Sequence, residues 1–378
     1  MRVWVVGRGI PTVKNNMLGS FELEQAKMLS RAGFDVCYFG MNFRSLKDLR
    51  FGHSYGRTDS VETAAVNLPL SRFISEEKLK KHITRNFLKA ADRMAERFGM
   101  PDVIHVHYPT QFTYAMVAPY KEKGVKIVAT EHWSKVQEKK TSKTETATLT
   151  EFCRKCDAMI CVGSNLKNSV LELTGIQREI HVIPNVVNAD FLRTAPKSGE
   201  GFGFIAVGRM APEKQFDKIV KAFASAFGDI PGVTLTIAGN GKEYSKIKET
   251  VTETGMTDRI SLPGMVPRGE LAELTASSGA LVSYSVYETF CVPIIEAWAC
   301  GKPVIASSVI TVVMDNDDDR LGVKVDCHDT ESLKEAMLDM YKNHSRYDSE
   351  WIAGYAKDNF SEESVIGRLT AIYNQICS

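Results

Sequence analysis

Short apolar runs alternate with segments of helical periodicity along the whole chain. In the first half, six apolar runs with the length of buried parallel strands lie at 2–6, 34–39, 102–106, 126–130, 157–162 and 179–183. In the second half, five further runs lie at 203–208, 233–238, 259–262, 279–284 and 303–306. Helical patterns separate these runs, for example at 20–32, 76–98, 215–227, 242–254, 268–276 and 293–300. This alternation predicts an α/β fold with two doubly wound domains.

The boundary between the two sets of runs follows Pro184, and the polar, glycine-containing segment 193–201 has the composition of a linker. We therefore predict an N-terminal domain over 1–190 and a C-terminal domain over 191–360. A helix with one apolar face is expected at 361–376. Open parallel sheets bind ligands beyond the carboxyl ends of their strands. We therefore expect the domains to face each other across a cleft, with the functional residues at strand ends.

The composition is that of a soluble globular protein, with 44% hydrophobic and 25% charged residues. No apolar run reaches the roughly 18 residues of a membrane-spanning helix. The apolar start is broken at Gly7, too early for a secretion signal. We therefore expect a cytoplasmic protein whose eight cysteines are free thiols. Cys153 and Cys156 form a CxxC pair, but no second matched pair completes a zinc site.

The net charge of +1 is unevenly distributed. Residues 1–190 hold 28 Lys and Arg against 20 Asp and Glu, a balance of +8, whereas the remainder holds 19 against 26, a balance of −7. A basic first half favours an acidic partner or an anionic membrane surface at the inner face of the membrane. The segment Lys78–Lys89 combines basic and apolar residues, as membrane-surface helices do. The alternative is a solvated helix that packs on the sheet.

The segment Tyr287–Ala306 carries the most information about chemistry. It follows a predicted strand, and Pro293 and Gly301 suit the first turn and the end of a helix. The backbone N–H groups of Phe290, Cys291 and Val292 would then point from a helix N-terminus, where phosphate binds well.

Two glutamates belong to this segment. Glu288 lies on the strand-to-helix loop, and Glu296 lies about one turn into the helix, within an apolar run where it needs a partner. Two carboxylates separated by the width of a phosphate can each hold a diol, one on a sugar and one on a ribose. The alternative is a helix-capping glutamate and a core salt bridge.

A second motif, Gly208-Arg209 followed by Lys214, comes directly after a predicted strand. Glycine permits close backbone approach, and the two cations supply what a diphosphate needs when no metal neutralises it. The alternative is a solvated basic loop. The acidic cluster Asp315–Asp319 contains an Asp-x-Asp spacing, but its polar surroundings indicate a solvated turn rather than a metal site.

Weaker signals lie at other strand ends. Gly239, Met265 and Val266 belong to short loops in which a flat base would lie against the backbone. The segment Asn16-Met17-Leu18-Gly19-Ser20 opens a helix and would let a phosphate or sugar approach.

Two strand tips in the first half carry chemistry-bearing side chains. His105 and His107 end one predicted strand, and Glu131 and His132 end the next. A lone histidine at such a position is commonly structural, but two tips that present histidine and glutamate toward one edge make a functional site as good an interpretation as a structural one.

The order and spacing of these motifs resemble glycosyltransferase family 4. The resemblance rests on Gly-Arg-x4-Lys, Gly-x-Gly, Pro-Gly-x-Val-Pro and Glu-x7-Glu-Ala-x-Ala-Cys-Gly-x-Pro-Val-Ile. The segment Gly19–Lys27 is similar to bacterial members that build capsular or exopolysaccharide. The resemblance implies a GT-B fold of two Rossmann-like domains, a nucleotide-sugar donor, retention of the anomeric configuration, and no metal or other cofactor.

The resemblance also implies roles. Arg209 and Lys214 would hold the donor diphosphate, Glu288 the hydroxyls of the donor sugar, and Glu296 the ribose. His132 would contact the transferred sugar, Gly19 would belong to the loop that closes over the donor, and the helix at 361–378 would cross back onto the N-terminal domain. The residues expected to contact the donor are therefore Gly19, Gly208, Arg209, Lys214, Gly239, Met265, Val266, Glu288, Thr289, Phe290, Cys291, Val292 and Glu296, and those expected in catalysis are Glu288, His132, Arg209 and Lys214.

Two departures from the family pattern concern the donor pocket. Thr289 and Cys291 stand where the family has glycine, which leaves the phosphate loop less backbone freedom. The usual Gly-Gly-x-Pro-Glu is absent, and the chain has Ser308–Val313 there instead. The far wall of the sugar pocket is therefore not defined by the pattern.

The sequence thus predicts a retaining, metal-independent enzyme that moves a sugar from a UDP- or GDP-sugar to a glycan or lipid-linked acceptor in bacterial surface polysaccharide synthesis. We expect no nucleic-acid partner. One alternative is a GT-B epimerase acting on a nucleotide sugar. Another is a Rossmann oxidoreductase, but Gly7-Arg8-Gly9 lacks the third glycine, and the second strand lacks the acidic residue that holds a ribose.

Overall fold

The computed structural model describes residues 1–11, 18–45, 52–70, 75–195, 197 and 201–378, with backbone alone at 43–45, 68–70 and 76. The chain forms two compact units. The first comprises Met1–Ile183 with Ile366–Ser378, and the second comprises Pro184–Val365. The domain bounds given from sequence, 1–190 and 191–360 with 361–378 packing back on the first, stay a prediction. Part of the expected linker at 193–201 lies outside the described residues.

The first unit is built on an eight-stranded sheet in the order β3-β4-β2-β1-β5-β6-β7-β8. Its strands are β1 (Arg2–Gly7), β2 (Asp35–Ser45), β3 (Gly52–Thr58), β4 (Val61–Leu70), β5 (Val103–His107), β6 (Lys126–Glu131), β7 (Ala158–Cys161) and β8 (His181–Val182). Its helices are α1 (Ser20–Arg31), α2 (Glu76–Phe98), α3 (Gln111–Glu122), α4 (Ser134–Gln137), α5 (Lys143–Lys155) and α6 (Ser164–Thr174). All strand pairs in this sheet are parallel except the antiparallel pair β3–β4.

The second unit is built on a six-stranded, fully parallel sheet in the order β11-β10-β9-β12-β13-β14. Its strands are β9 (Phe202–Val207), β10 (Val233–Ala238), β11 (Ile260–Gly264), β12 (Ala280–Ser283), β13 (Val304–Ser307) and β14 (Gly322–Val325). Its helices are α7 (Ala189–Arg193), α8 (Phe216–Phe227), α9 (Tyr244–Glu253), α10 (Arg268–Ser277), α11 (Val292–Ala299), α12 (Thr311–Asp315), α13 (Thr330–Asn343) and α14 (Ser349–Phe360). A last helix, α15 (Glu362–Cys377), ends the chain.

The buried strands follow the apolar runs of the sequence. Val3, Trp4, Val5 and Val6 of β1 are completely buried at the centre of the first sheet, because both faces of a parallel sheet are covered by helices. The prediction missed the hairpin β3–β4 and the short strand β14. β3 is the edge strand of its sheet, its side chains are mostly polar and none of its residues is buried, so it leaves no apolar run.

Helix α2 corrects one expectation about the membrane. Its apolar residues Ile83 and Phe87 are completely buried within the first unit, so they are not available to a membrane surface. Its basic residues Lys78, Lys81 and Arg85 are exposed. Among the described residues, no helix is both long and apolar enough to cross a bilayer.

Candidate functional site

The loops that follow β9 and β12 bring Lys214 and Glu288 together. The Lys214 Nζ atom forms an ion pair with Glu288 Oε1, and each side chain is 16% exposed. Ser285 Oγ donates a second hydrogen bond to Glu288 Oε1 at 3.3 Å. Burial alone would lower the pKa of Lys214, but the Glu288 carboxylate outweighs it, and the pKa is raised. Lys214 is therefore a fixed cation at the carboxyl edge of the second sheet.

Gly208 and Arg209 belong to the same loop. A Cβ atom placed on Gly208 would lie 3.7 Å from Lys214 Nζ, so the bare backbone of Gly208 lies beside the ammonium group. Arg209 is 75% exposed and pairs with Glu213 Oε1 at 2.9 Å. The Glu213 carbonyl accepts a hydrogen bond from the Val286 N–H at 2.9 Å, which ties this loop to the one that carries Glu288.

The start of α11 supplies unpaired donors. Cys291 caps the helix with φ 81° and ψ 74°, a left-handed conformation that costs a non-glycine residue about 1–2 kcal/mol. Cys291 thus adopts the backbone that a glycine would provide, whereas Thr289 keeps a negative φ. The backbone N–H groups of Phe290, Cys291 and Val292 donate no hydrogen bond within the described part of the chain. Three such amides at a helix N-terminus beside a lysine are the groups with which proteins bind anions.

Cys291 is not a nucleophile in this setting. Its side chain is buried, and burial raises the pKa of its thiol to about 12. The thiol is therefore neutral at physiological pH.

Glu296 lies apart from this group. Its side chain is half-buried, and burial raises the pKa of its carboxyl to about 7, with the Arg268 charge acting in the opposite direction. Over the described ranges the carboxylate has no hydrogen bond or ion pair, and no contact joins it to Lys214 or Glu288. Among the residues that the structure describes, this carboxylate has no protein partner.

The ends of β9, β10 and β11 are joined by backbone hydrogen bonds. Gly208 N–H donates to the Ala238 carbonyl at 3.0 Å, and Gly239 N–H donates to the Gly264 carbonyl at 2.8 Å. Gly239 has φ 142°, and a Cβ atom there would lie 1.9 Å from the Gly208 carbonyl oxygen, so only glycine fits.

Met265 and Val266 follow Gly264 at the end of β11. Met265 is 70% exposed, an uncommon position for a large apolar side chain, and Val266 is half-buried. An exposed apolar surface beside backbone suits a flat ligand.

Three histidines line up at the carboxyl ends of β5 and β6 in the first unit. The rings of His105 and His107 stack at 4.6 Å, and those of His107 and His132 at 5.2 Å. His107 Nδ1 and His132 Nε2 share a hydrogen bond of 2.9 Å, and His105 Nδ1 bonds the Tyr373 hydroxyl at 2.6 Å. Burial lowers the pKa of His105 to about 3 and that of His132 to about 4. All three rings are therefore neutral.

Glu131 lies next to these rings. Its side chain is 1% exposed, and its Oε1 atom accepts hydrogen bonds from the N–H groups of His132 and Trp133, both at 2.8 Å. Burial raises the pKa of this carboxyl to about 7, although the two hydrogen bonds act in the opposite direction.

Two sequence-family models match consecutive parts of the chain. The model described as "Glycosyltransferase Family 4" matches residues 21–191, and the model described as "Glycosyl transferases group 1" matches residues 190–357. The chain belongs to glycosyltransferase family 4.

Relatives and solved structures agree with this assignment. This glycosyltransferase is 28% identical over 187 residues to an exopolysaccharide phosphotransferase of Streptomyces coelicolor, across 48% of the chain and 19% of that relative. It is 24% identical over 307 residues to an N-acetyl-alpha-D-glucosaminyl L-malate synthase of Bacillus anthracis, across 76% and 79% of the two chains. Sucrose-phosphate synthase from Thermosynechococcus elongatus shares the fold, with a TM-score of 0.77, 19% identity, and coverage of 100% and 99%.

The fold of the glycosyltransferase is therefore GT-B, as the sequence predicted. The alignments span 19 to 39% of the length of three of the curated relatives that the chain matches. Family membership sets aside the oxidoreductase alternative.

The first unit of the glycosyltransferase contains functional candidates that the sequence did not single out. Arg8 Nε donates to Glu22 Oε1 at 2.9 Å, and its guanidinium lies 3.8 Å from the centre of the Tyr108 ring. Glu22 is 1% exposed, and Tyr108 has a positive φ of 59°. Arg8 and Tyr108 directly follow β1 and β5, so their positions at strand ends could have identified them from the sequence.

Gly19 caps α1 with φ 76°, and a Cβ atom there would lie 1.9 Å from the Gly9 carbonyl oxygen. The Tyr38 hydroxyl donates to that carbonyl at 2.7 Å. Gly19 is thus fixed against the loop after β1. Asn16 and Met17, which the sequence placed in the same segment, lie outside the described residues.

The acidic cluster at 315–319 of the glycosyltransferase is engaged with cations. Asp317 pairs with Lys324, and Asp318 pairs with Arg320 at 2.6 Å. Throughout the described ranges, no three His, Cys, Asp or Glu side chains are grouped as metal ligands.

Proposed function

We propose that this glycosyltransferase moves a sugar from a nucleotide diphosphate sugar to an acceptor hydroxyl, with retention of the anomeric configuration and without a metal ion. The observation that carries the proposal is the partly buried pair Lys214–Glu288 beside the three unpaired N–H groups at the start of α11. This arrangement offers fixed positive potential for a leaving diphosphate and a carboxylate for sugar hydroxyls.

The donor binds by exchange of partners at this pair. Lys214 Nζ turns from Glu288 to the diphosphate, and the α11 amides donate to the phosphate oxygens. Glu288, released from the cation, accepts hydrogen bonds from the hydroxyls of the donor sugar. Arg209, which is exposed and pairs with Glu213, closes on the outer phosphate. Glu296 accepts the two ribose hydroxyls, which satisfies a carboxylate without a protein partner.

Retention follows from departure and attack on one face of the sugar. The bond between the anomeric carbon and the diphosphate oxygen breaks, and a bond to the acceptor oxygen forms on the same face. The acceptor proton passes to the leaving phosphate oxygen, so no protein base is required. His132 contacts the transferred sugar as a neutral ring, which matches the lowered pKa of its imidazole.

Two expected results follow from a metal-independent, retaining mechanism. Activity should be unchanged in excess EDTA, because Lys214 and the α11 amides already supply the positive charge that a metal would bring. NMR of the product should show the anomeric configuration of the donor. Loss of activity in EDTA with recovery in Mn²⁺ would assign a metal site to 315–319, and an inverted product would exclude the front-face mechanism.

The donor in this proposal is a UDP- or GDP-sugar, and the acceptor is a glycan or a lipid-linked sugar in bacterial surface polysaccharide synthesis. The support is the resemblance of Gly19–Lys27 to capsular and exopolysaccharide enzymes and the similarity to an exopolysaccharide phosphotransferase. The exposed cations Lys78, Lys81, Arg85 and Lys89 of α2 suit contact with anionic lipid.

Membrane contact predicts flotation of the protein with anionic liposomes at low salt. Replacing Lys78, Lys81, Arg85 and Lys89 together by glutamine should abolish flotation, since each basic residue near an anionic surface contributes about 1 kcal/mol. The matched control replaces four exposed lysines of the second unit, which are Lys221, Lys242, Lys248 and Lys342. Equal flotation of both variants would contradict contact through α2.

A further inference from the structure

A cavity of about 320 Å³ opens in the first unit beside the carboxyl ends of β5 and β6. Residues of the loops after these strands and of α5 line it, among them Glu131, Trp133, Phe112, Thr144 and Thr148. Its volume lies at the small end of the roughly 300–1,000 Å³ range of ligand sites, which suits one ring rather than a chain of sugars.

Glu131 gives this cavity an unsatisfied acceptor. Oε1 holds the N–H groups of His132 and Trp133, whereas Oε2 has no hydrogen-bond partner in the described part of the chain. The side chain as a whole is 1% exposed, so the carboxylate is largely shielded from bulk water. No cation pairs with Glu131 in the described ranges, and its raised pKa reflects burial alone. Hydroxyl groups of a ligand would satisfy Oε2.

The walls of the cavity offer both apolar and polar groups, as the C–H groups and the hydroxyls of a sugar ring require. Trp133 and Phe112 offer apolar ring faces to C–H groups. The hydroxyls of Thr144 and Thr148 have no hydrogen-bond partner among the residues the structure describes, so they are available to a ligand.

Apart from Glu131, the described lining of the cavity contains one charged side chain, Glu145. Lys135 pairs with Glu145 at 2.8 Å, so these two charges offset each other. The charged group left to a ligand is therefore the Glu131 carboxylate, which hydroxyl donors on a ring can satisfy.

We propose that this cavity binds a sugar or cyclitol ring of the acceptor, with ring hydroxyls donating to Glu131 Oε2. This inference rests on the proposed function, because it names the acceptor class of the same enzyme. His132 follows Glu131 directly in the chain, so the ring lies next to the residue that is proposed to contact the transferred sugar.

The test is binding of small neutral rings, measured by saturation-transfer NMR with myo-inositol, methyl glucoside and N-acetylglucosamine, and with glucosamine as the cationic comparison. Glu131→Gln keeps the oxygen that holds the two N–H groups and replaces the other by an amide, so the loop should stay folded. This variant should weaken binding of the neutral ring at least tenfold, and Thr148→Val should weaken it severalfold. The control is Thr150→Val, on the same helix but outside the cavity, where the hydroxyl bonds the Thr146 carbonyl.

Thermal stabilisation by a nucleotide sugar tests the proposed function independently of the cavity proposal. The rise in melting temperature reports donor binding to the second unit, so Glu131→Gln should leave it unchanged. If no nucleotide sugar raises the melting temperature of the wild-type protein, the proposed function itself is contradicted. Normal stabilisation with no binding of any neutral ring, equal binding by Glu131→Gln, or a preference for glucosamine would overturn the cavity proposal.

Discussion

Lys214→Ala is expected to lower kcat/KM for sugar transfer by about a hundredfold or more. The ammonium group is proposed to hold the donor diphosphate, and a preorganised donor to a leaving oxyanion typically contributes about 10²–10³ in rate. The loss should appear mainly in kcat, because the leaving group gains charge in the transition state. Initial rates with a UDP- or GDP-sugar, measured at several donor concentrations, give both constants.

The control for this variant is Lys242→Ala, which removes an exposed lysine of the same unit and should leave kcat/KM unchanged. Lys214→Ala also deprives Glu288 of its cation, so circular dichroism and the melting temperature must show that the variant is folded. A folded Lys214→Ala enzyme with wild-type kcat/KM would remove Lys214 from the donor site.

Affinity for a nucleotide sugar is expected to rise about tenfold between pH 6 and pH 8. Burial raises the pKa of Glu296 in the free protein to about 7, so its ionised fraction grows about tenfold over this interval. In the proposed donor complex, ribose hydroxyls donate to the ionised Glu296 carboxylate, so binding favours this form, lowers the pKa of Glu296 and releases a proton. Affinity therefore increases as the pH rises.

Isothermal titration calorimetry in buffers of different ionisation enthalpy measures both the affinity and the released proton. The ligand should be a nucleotide sugar rather than a nucleoside diphosphate, because a terminal phosphate titrates in the same interval. Glu296→Gln should bind with an affinity independent of pH. The variant also distinguishes titration of Glu296 from titration of Glu131, because the pKa of Glu131 is also about 7. A slope that persists in Glu296→Gln would assign the proton to another group.

The sequence was a good guide to the buried strands and a poor one to the exposed ones. Val3–Val6 of β1 had to be apolar, because both faces of a central parallel strand are covered. The edge strand β3 carries polar residues on both faces, so its strand character comes from pairing with β4 and not from its own pattern.

The same contrast holds for the candidate site. Spacing placed Gly208, Arg209 and Lys214 at a strand end, because a loop after a parallel strand has only a few residues. It did not reveal that Lys214 pairs with Glu288, since the two residues lie 74 positions apart and meet only through β9 and β12. The free oxygen of Glu131 was equally hidden, because it depends on which backbone N–H groups bond the other oxygen.

Tyr373 on α15 has a consequence for how the chain is made. Its ring is completely buried in the first unit, where it meets Phe34 edge-on, and its hydroxyl bonds His105 Nδ1. A ribosome releases residues 1–183 long before it adds residue 373. The nascent first unit therefore lacks the hydrogen bond between His105 and Tyr373 until the second unit has been synthesised. Termination before codon 373 would leave His105 without the Tyr373 hydroxyl.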